Sequence, residues 1–209
     1  MFYKLQTTQQ PDLERIYEEI LDELGEFFQF RWIKNRPRVF ILPDRATMNE
    51  LKGREVPPWI VAWTGKTDIY ILEPESYGKS SGHTYTPENY LQTLKHELVH
   101  CFTNVVTGFA QEPLWLIEGL AIYLSGQLNQ KKRPEKLRRF LQQQKDHRDD
   151  PNIYAESGFA VEFLIEKYGQ EKLLTLLKKM KDSDHRYNFL KLFKEIYGFE
   201  MEYENFGII

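Results

Sequence analysis

The stretch PLWLIEGLAIYL, residues 113–124, is apolar at nearly every position except Glu118. A helix that is hydrophobic all round is buried. The chain must therefore supply enough other elements to wrap a central helix, and it must accommodate a carboxylate inside it. An ionised carboxylate withdrawn from water is costly unless a cation or a metal ion meets it. An Arg or Lys partner is the plain solution and a metal is the chemical one. Gly119 follows directly. Gly inside a helix costs about 1 kcal/mol relative to Ala, and the missing side chain lets another backbone or helix come close.

A second stretch, LKHELVHCF at residues 94–102, places His96 and His100 four apart with Glu97 after the first. Thr86-Pro87 offers a cap and a first-turn proline, and Gly108 offers a stop. At roughly 100° per residue, Leu91, Leu94, Leu98, Cys101, Phe102 and Val105 form one stripe. His96 and His100 fall together on the opposite side, about 40° apart. The helix is expected to pack through the stripe and to present both imidazoles to a cleft, as a metal would require. Two solvated surface histidines are the alternative.

Composition narrows the setting. The chain has 209 residues, 41% apolar and 28% charged, ordinary values for a globular protein with a sizeable core. A net charge of −3 favours neither nucleic acid nor an anionic membrane as partner. The single cysteine, Cys101, excludes an intramolecular disulfide and a cysteine-based zinc cluster, and it sits on the apolar stripe as a core residue. MFYKLQTTQQPDLER has no apolar signal core, and no stretch approaches about eighteen consecutive apolar residues. The expectation is a cytoplasmic protein.

Along the chain, helical spacing predicts a helix over Pro11–Phe28. PRVFIL (37–42) reads as a short strand, and Pro43-Asp44 starts a helix through about Leu51. PPWIVAW (57–63) and TDIYIL (67–72) flank Thr64-Gly65-Lys66 and read as a hairpin. Residues 73–86 read as loop. Helices are expected near 87–106, 113–126, 134–146, 153–168, 170–181 and 184–197, with Gly169 and Gly198 as C-caps. KKRPEKLRRFLQQQKDHRDD (131–150) is the one biased segment, read as a solvated helix face and loop, with a basic docking patch as the alternative. Strands first and helices later imply α+β: a mixed lobe over 1–108 and a helical lobe over 109–209 of one domain.

A catalytic zinc site usually has three protein ligands. Thr103 and Val106 exclude the metzincin pattern. Glu112, Glu118, His147, Asp149 and Asp150 are the candidates. Glu118 stands out by its apolar setting, whereas Glu112, before Pro113, suits a helix N-terminus. HELVH followed after seventeen residues by Glu118 within WLIEGLA resembles the gluzincin metallopeptidases. It most resembles the peptidase MA-like group carrying H-E-x-x-H…W-L-x-E-G-x-A. The resemblance continues into YAESGFAVEFLIEKYGQEKLLTLLKKM (154–180) and covers about residues 87–198.

This resemblance implies a zincin-like fold, zinc ligands His96, His100 and Glu118, and a peptide or protein substrate. Glu97, one residue after a ligand, is placed to act as general base on a metal-activated water. In similar enzymes a Tyr or His donates to the developing oxyanion. Tyr154 is the candidate, with Tyr123 and His147 as alternatives. TDIYIL is read as an edge strand to which a peptide could add, with an ordinary central strand as the alternative. No G-x-M-x-N element is present, which favours endopeptidase over aminopeptidase action. Two other readings compete with an active zinc peptidase: a zinc-stabilised binding domain without turnover, and a metal-free helical interaction protein.

Overall fold

A computed structural model describes residues 6–79, 81–142, 151–182 and 188–208. Helix α1 (Pro11–Phe28) leads to strand β1 (Arg38–Leu42) and helix α2 (Arg45–Lys52), whose N-cap Asp44 accepts the Thr47 N–H at 2.7 Å. Strands β2 (Ala62–Gly65) and β3 (Asp68–Leu72) form the expected hairpin. The turn itself shifts by one residue. Gly65 pairs with Asp68 in the ladder, and Lys66 takes the positive φ of 59°.

The strand order is β1-β3-β2, with β1 parallel and β2 antiparallel to β3. TDIYIL is therefore the central strand, and the expectation of an edge strand there is corrected. Ile69, Ile71 and Leu72 are almost fully buried, and a strand so apolar is best covered along both edges as well as on its faces. Beside the helix at Pro87–Thr107, the edge is β2. On the outer face the register aligns Phe40, Tyr70 and Trp63. Their rings stack at centroid distances of 5.0 and 4.6 Å, and Arg38 and Lys52 close the two ends of the stack.

Helix α3 (Pro74–Lys79) interrupts the stretch expected to be loop. It is held by Tyr77, buried and hydrogen-bonded through its hydroxyl to Thr93 Oγ1 at 2.9 Å. Helix α4 (Pro87–Thr107) begins at Thr86, whose hydroxyl accepts the Asn89 N–H, and ends at Gly108 with φ 62°. Its apolar stripe meets α1, where Phe28 stacks on Phe102 at 5.2 Å, and the sheet. The opposite side is not open. Thr93, Val99 and Thr103 are buried there, because helices α5 (Leu114–Leu124) and α7 (Gln170–Lys179) also pack on α4.

The 3₁₀ turn at Gln127–Gln130 follows α5, and α6 spans Pro151–Tyr168. Helix α8 (Phe189–Tyr197) packs on α7, and the expected C-caps Gly169 and Gly198 have φ of 86° and 83°. The helix expected at 134–146 is absent over its described part, 134–142. Its backbone donors are spent on side chains instead. Glu156 Oε2 accepts the N–H groups of Arg138, Arg139 and Phe140, and Tyr203 Oη accepts that of Leu141. Leu137 and Phe140 are buried as anchors. Among the described residues, no helix is long and apolar enough to cross a membrane.

Candidate metal centre

The central position of α4 follows from its sequence. A four-residue spacing puts His96 and His100 on one flank, and the wrapping elements reduce their side-chain exposure to 15% and 14%. Glu118 comes from α5, an apolar helix with Leu116, Leu120 and Ala121 fully buried. Helix α5 is fixed from behind by close approach to α6. A Cβ on Gly119 would stand 2.3 Å from the Ser157 carbonyl oxygen, and one on Gly158 would stand 2.8 Å from Leu128 and 2.9 Å from Ile122. Both helices need a glycine at their contact, as inferred for Gly119. On its other side α5 packs on α4, and across that contact Glu118 reaches the histidines.

His96 Nε2 and His100 Nε2 are 3.1 Å apart. Glu118 Oε2 lies 3.5 Å from the first and 3.7 Å from the second. Donor atoms of all three residues fall within 4.8 Å of one another. Zinc–ligand bonds of about 2.0–2.1 Å at tetrahedral angles place ligand atoms about 3.3–3.4 Å apart, so the observed spacing fits a small divalent cation. The donor chemistry fits as well: two imidazole nitrogens and one carboxylate leave a fourth position open.

Gln127 Oε1 lies 3.1 Å from His96 Nδ1. An amide oxygen can only accept there, so Nδ1 carries the proton and Nε2 keeps its lone pair facing His100 and Glu118. Burial pulls both imidazoles toward the neutral form, and the carboxylates of Glu118 and Glu97 oppose it. For His100 burial prevails and its pKa is lowered. For His96 the carboxylates, together with Gln127, prevail and its pKa is raised.

Glu97 is buried, 7% exposed. Thr64 on β2 sets its orientation: the Thr64 hydroxyl lies 2.7 Å from Glu97 Oε2 and 2.9 Å from the Glu97 carbonyl oxygen. Cys101 is buried, and burial followed by the Glu97 charge raises its thiol pKa, in keeping with a core residue. Glu112 does not join the cluster. Its Oε2 accepts the Leu114 N–H at the start of α5, the helix-terminus role expected of it.

Tyr154 stands in the first turn of α6, half-buried against the core, one turn before the Ser157–Gly158 contact with α5. Tyr123 is half-buried on α5, and burial with the nearby Glu166 and Glu162 charges raises its pKa. His147, Asp149 and Asp150 lie outside the described residues. Sequence reasoning missed Thr64 and Gln127. Neither belongs to a periodic pattern, and each reaches the site only because a turn, Lys66-Thr67 or Ser125-Gly126, returns the chain beside α4.

No curated protein and no solved structure matches the chain. A family model does match, that of the peptidase MA superfamily, over residues 88–206. These residues take in α4, α5 and their partners α6 to α8. With more than half of its length matched, the chain belongs to the peptidase MA superfamily.

Proposed function

We propose that this chain is a zinc-dependent peptidase of the gluzincin type, with His96, His100 and Glu118 as ligands and Glu97 as general base. The convergence of the three donor sets within 4.8 Å carries the reading. When bound, zinc would supply a Lewis acid that polarises the scissile carbonyl and acidifies a water. Glu97, beside His96 in the chain and steadied by Thr64, takes the proton from the attacking water and delivers it to the leaving amine. Tyr154 is proposed to donate to the oxyanion.

Strand β2 supplies a platform for a peptide. In an antiparallel ladder the hydrogen-bonded pairs alternate. The Leu72 N–H donates to the Val61 carbonyl, so Val61, Trp63 and Gly65 face β3 and the backbone groups of Ala62 and Thr64 face the open edge. Thr64 thus offers its backbone to an added strand and its hydroxyl to Glu97. A scissile peptide bond beside Thr64 would sit next to the base.

The test is metal analysis followed by peptide-library cleavage with the wild type and Glu97→Gln. About one zinc per chain is expected in both, with turnover in the variant lower by about 10² to 10⁴-fold. A wild type without zinc, or unchanged turnover in the variant, overturns the reading. Zinc retained with no cleavage in a broad library would instead identify a silent, zinc-stabilised binding domain.

A further inference from the structure

Residues 131–139, KKRPEKLRR, carry six cations and one carboxylate, a net +5 in a chain whose net charge is −3. All six cationic residues are exposed. The backbone beneath them is held in place. Glu156 Oε2 takes the Arg138, Arg139 and Phe140 N–H groups at 2.8, 2.5 and 3.2 Å, while Arg133 pairs with Glu162 at 2.7 Å and lies over the Phe159 ring. Among the described residues, Lys131, Lys132, Lys136 and Arg138 make no ion pair. This is an anchored display of charge rather than a solvated helix face.

Its near end joins the metal centre. Gln127 touches His96, and Gln130 Nε2 donates to Asn89 Oδ1 and Gln92 Oε1 of α4 at 3.0 and 2.8 Å. Exposed Lys131 and Lys132 follow directly in the chain after this anchor, whose contact with Gln92 lies about one turn before His96. At the other end, the carbonyl of exposed Lys66 is held by Asn104 Nδ2 at 2.8 Å, about one turn after His100. Gln92 and Asn104 are separated by about 18 Å of helix, the span of roughly five extended residues. A peptide lying along β2 would cross the centre with cations near both of its ends.

We infer that the surface along β2 and the candidate metal centre takes acidic peptide segments, with Asp or Glu on both sides of the reacting bond. The inference rests on the peptidase reading for the orientation of the peptide. The open backbone groups of β2 suit a peptide rather than a nucleic acid.

The test measures binding by fluorescence anisotropy with labelled peptides of about twelve residues: one rich in Asp and Glu, one with Asn and Gln in their place, and one rich in Lys. Proteins compared are the wild type, Lys131→Glu with Lys132→Glu, and a control with Lys34→Glu and Lys191→Glu. The acidic peptide should bind best to the wild type, roughly tenfold weaker to the first variant and unchanged to the control. Raising salt from about 50 to about 200 mM should weaken it. Equal binding of the amide peptide, an unaffected first variant, or equally tight binding of a single-stranded oligonucleotide of matched charge overturns the inference. None of these readouts needs turnover. A protein that holds zinc and cleaves peptides without regard to acidic residues defeats this inference alone, whereas one that binds acidic peptide but holds no zinc defeats the peptidase reading alone.

Discussion

Two acidic residues on neighbouring helices, Glu118 of α5 and Glu156 of α6, each precede a residue at the contact between those helices. Both carboxylates are withdrawn from water: Glu118 has a side chain 20% exposed, and Glu156 is 8% exposed. They are satisfied in different ways. Glu156 is met by three backbone N–H groups, which are uncharged and offer no lone pair to a metal. Glu118 is met by two imidazole nitrogens, side-chain donors whose chemistry suits a divalent cation. A buried acid held by main-chain donors fixes a loop. A half-buried acid held by other donor side chains offers a candidate site. Burial alone does not distinguish the two, and the chemistry of the partners does.

Replacing each carboxylate by its amide is the direct way to break this contrast. Glu118→Gln should have the largest effect, loss of stable zinc binding with little change in the apo fold, read by metal analysis after dialysis. Full zinc occupancy in that variant would remove Glu118 from the centre. Tyr154→Phe sharpens the comparison from the α6 side, since Tyr154 lies one turn from the Ser157–Gly158 contact with α5. It should retain zinc and lower kcat by about 10² to 10³-fold with little change in KM. Full activity would move the oxyanion donor elsewhere, with Tyr123→Phe and His147→Ala as the next variants to assay.

Gln127→Leu tests whether a partner's partner matters. It removes the acceptor that holds the His96 Nδ1 proton, and zinc affinity should fall by about 10- to 100-fold in a chelator competition. Gln127→Glu, which keeps the acceptor, should bind zinc far better than the Leu variant. Equal affinity in the wild type and the Leu variant would reduce Gln127 to a packing residue. Glu156→Gln should have the smallest effect: a loss of about 1.5–3 kcal/mol in unfolding free energy, because an amide presents donors of its own to backbone N–H groups. Zinc content should not change. If Glu156→Gln lost zinc, the division between a structural and a chemical carboxylate would fail.

His96, His100 and Glu118, which the structure brings together, and the helices that carry them were legible in the chain by itself. Helix α1 runs over the residues its periodicity marks, and the Thr86 cap and Gly108 stop bound α4 as predicted. These are local properties, set by backbone capping and by a 3.6-residue repeat. The adjoining glycine likewise announced a close helix contact, and the apolar run announced a carboxylate largely withdrawn from water, which the structure leaves half-buried rather than buried. The pairing order of the strands was not legible. β3 lies centrally because, after α2 and β2, the chain brings it back beside β1, a non-local choice. Nor were Thr64 and Gln127, which sit 33 residues before Glu97 and 31 after His96. The segment at 134–142 has a helix-like composition, yet Glu156, far along the chain, captured the N–H groups a helix would have needed. Sequence determined which side chains could do chemistry. The tertiary structure decided which of them meet, because the close approach of α5 to α6 and to α4 depends on packing between distant segments that no local pattern records.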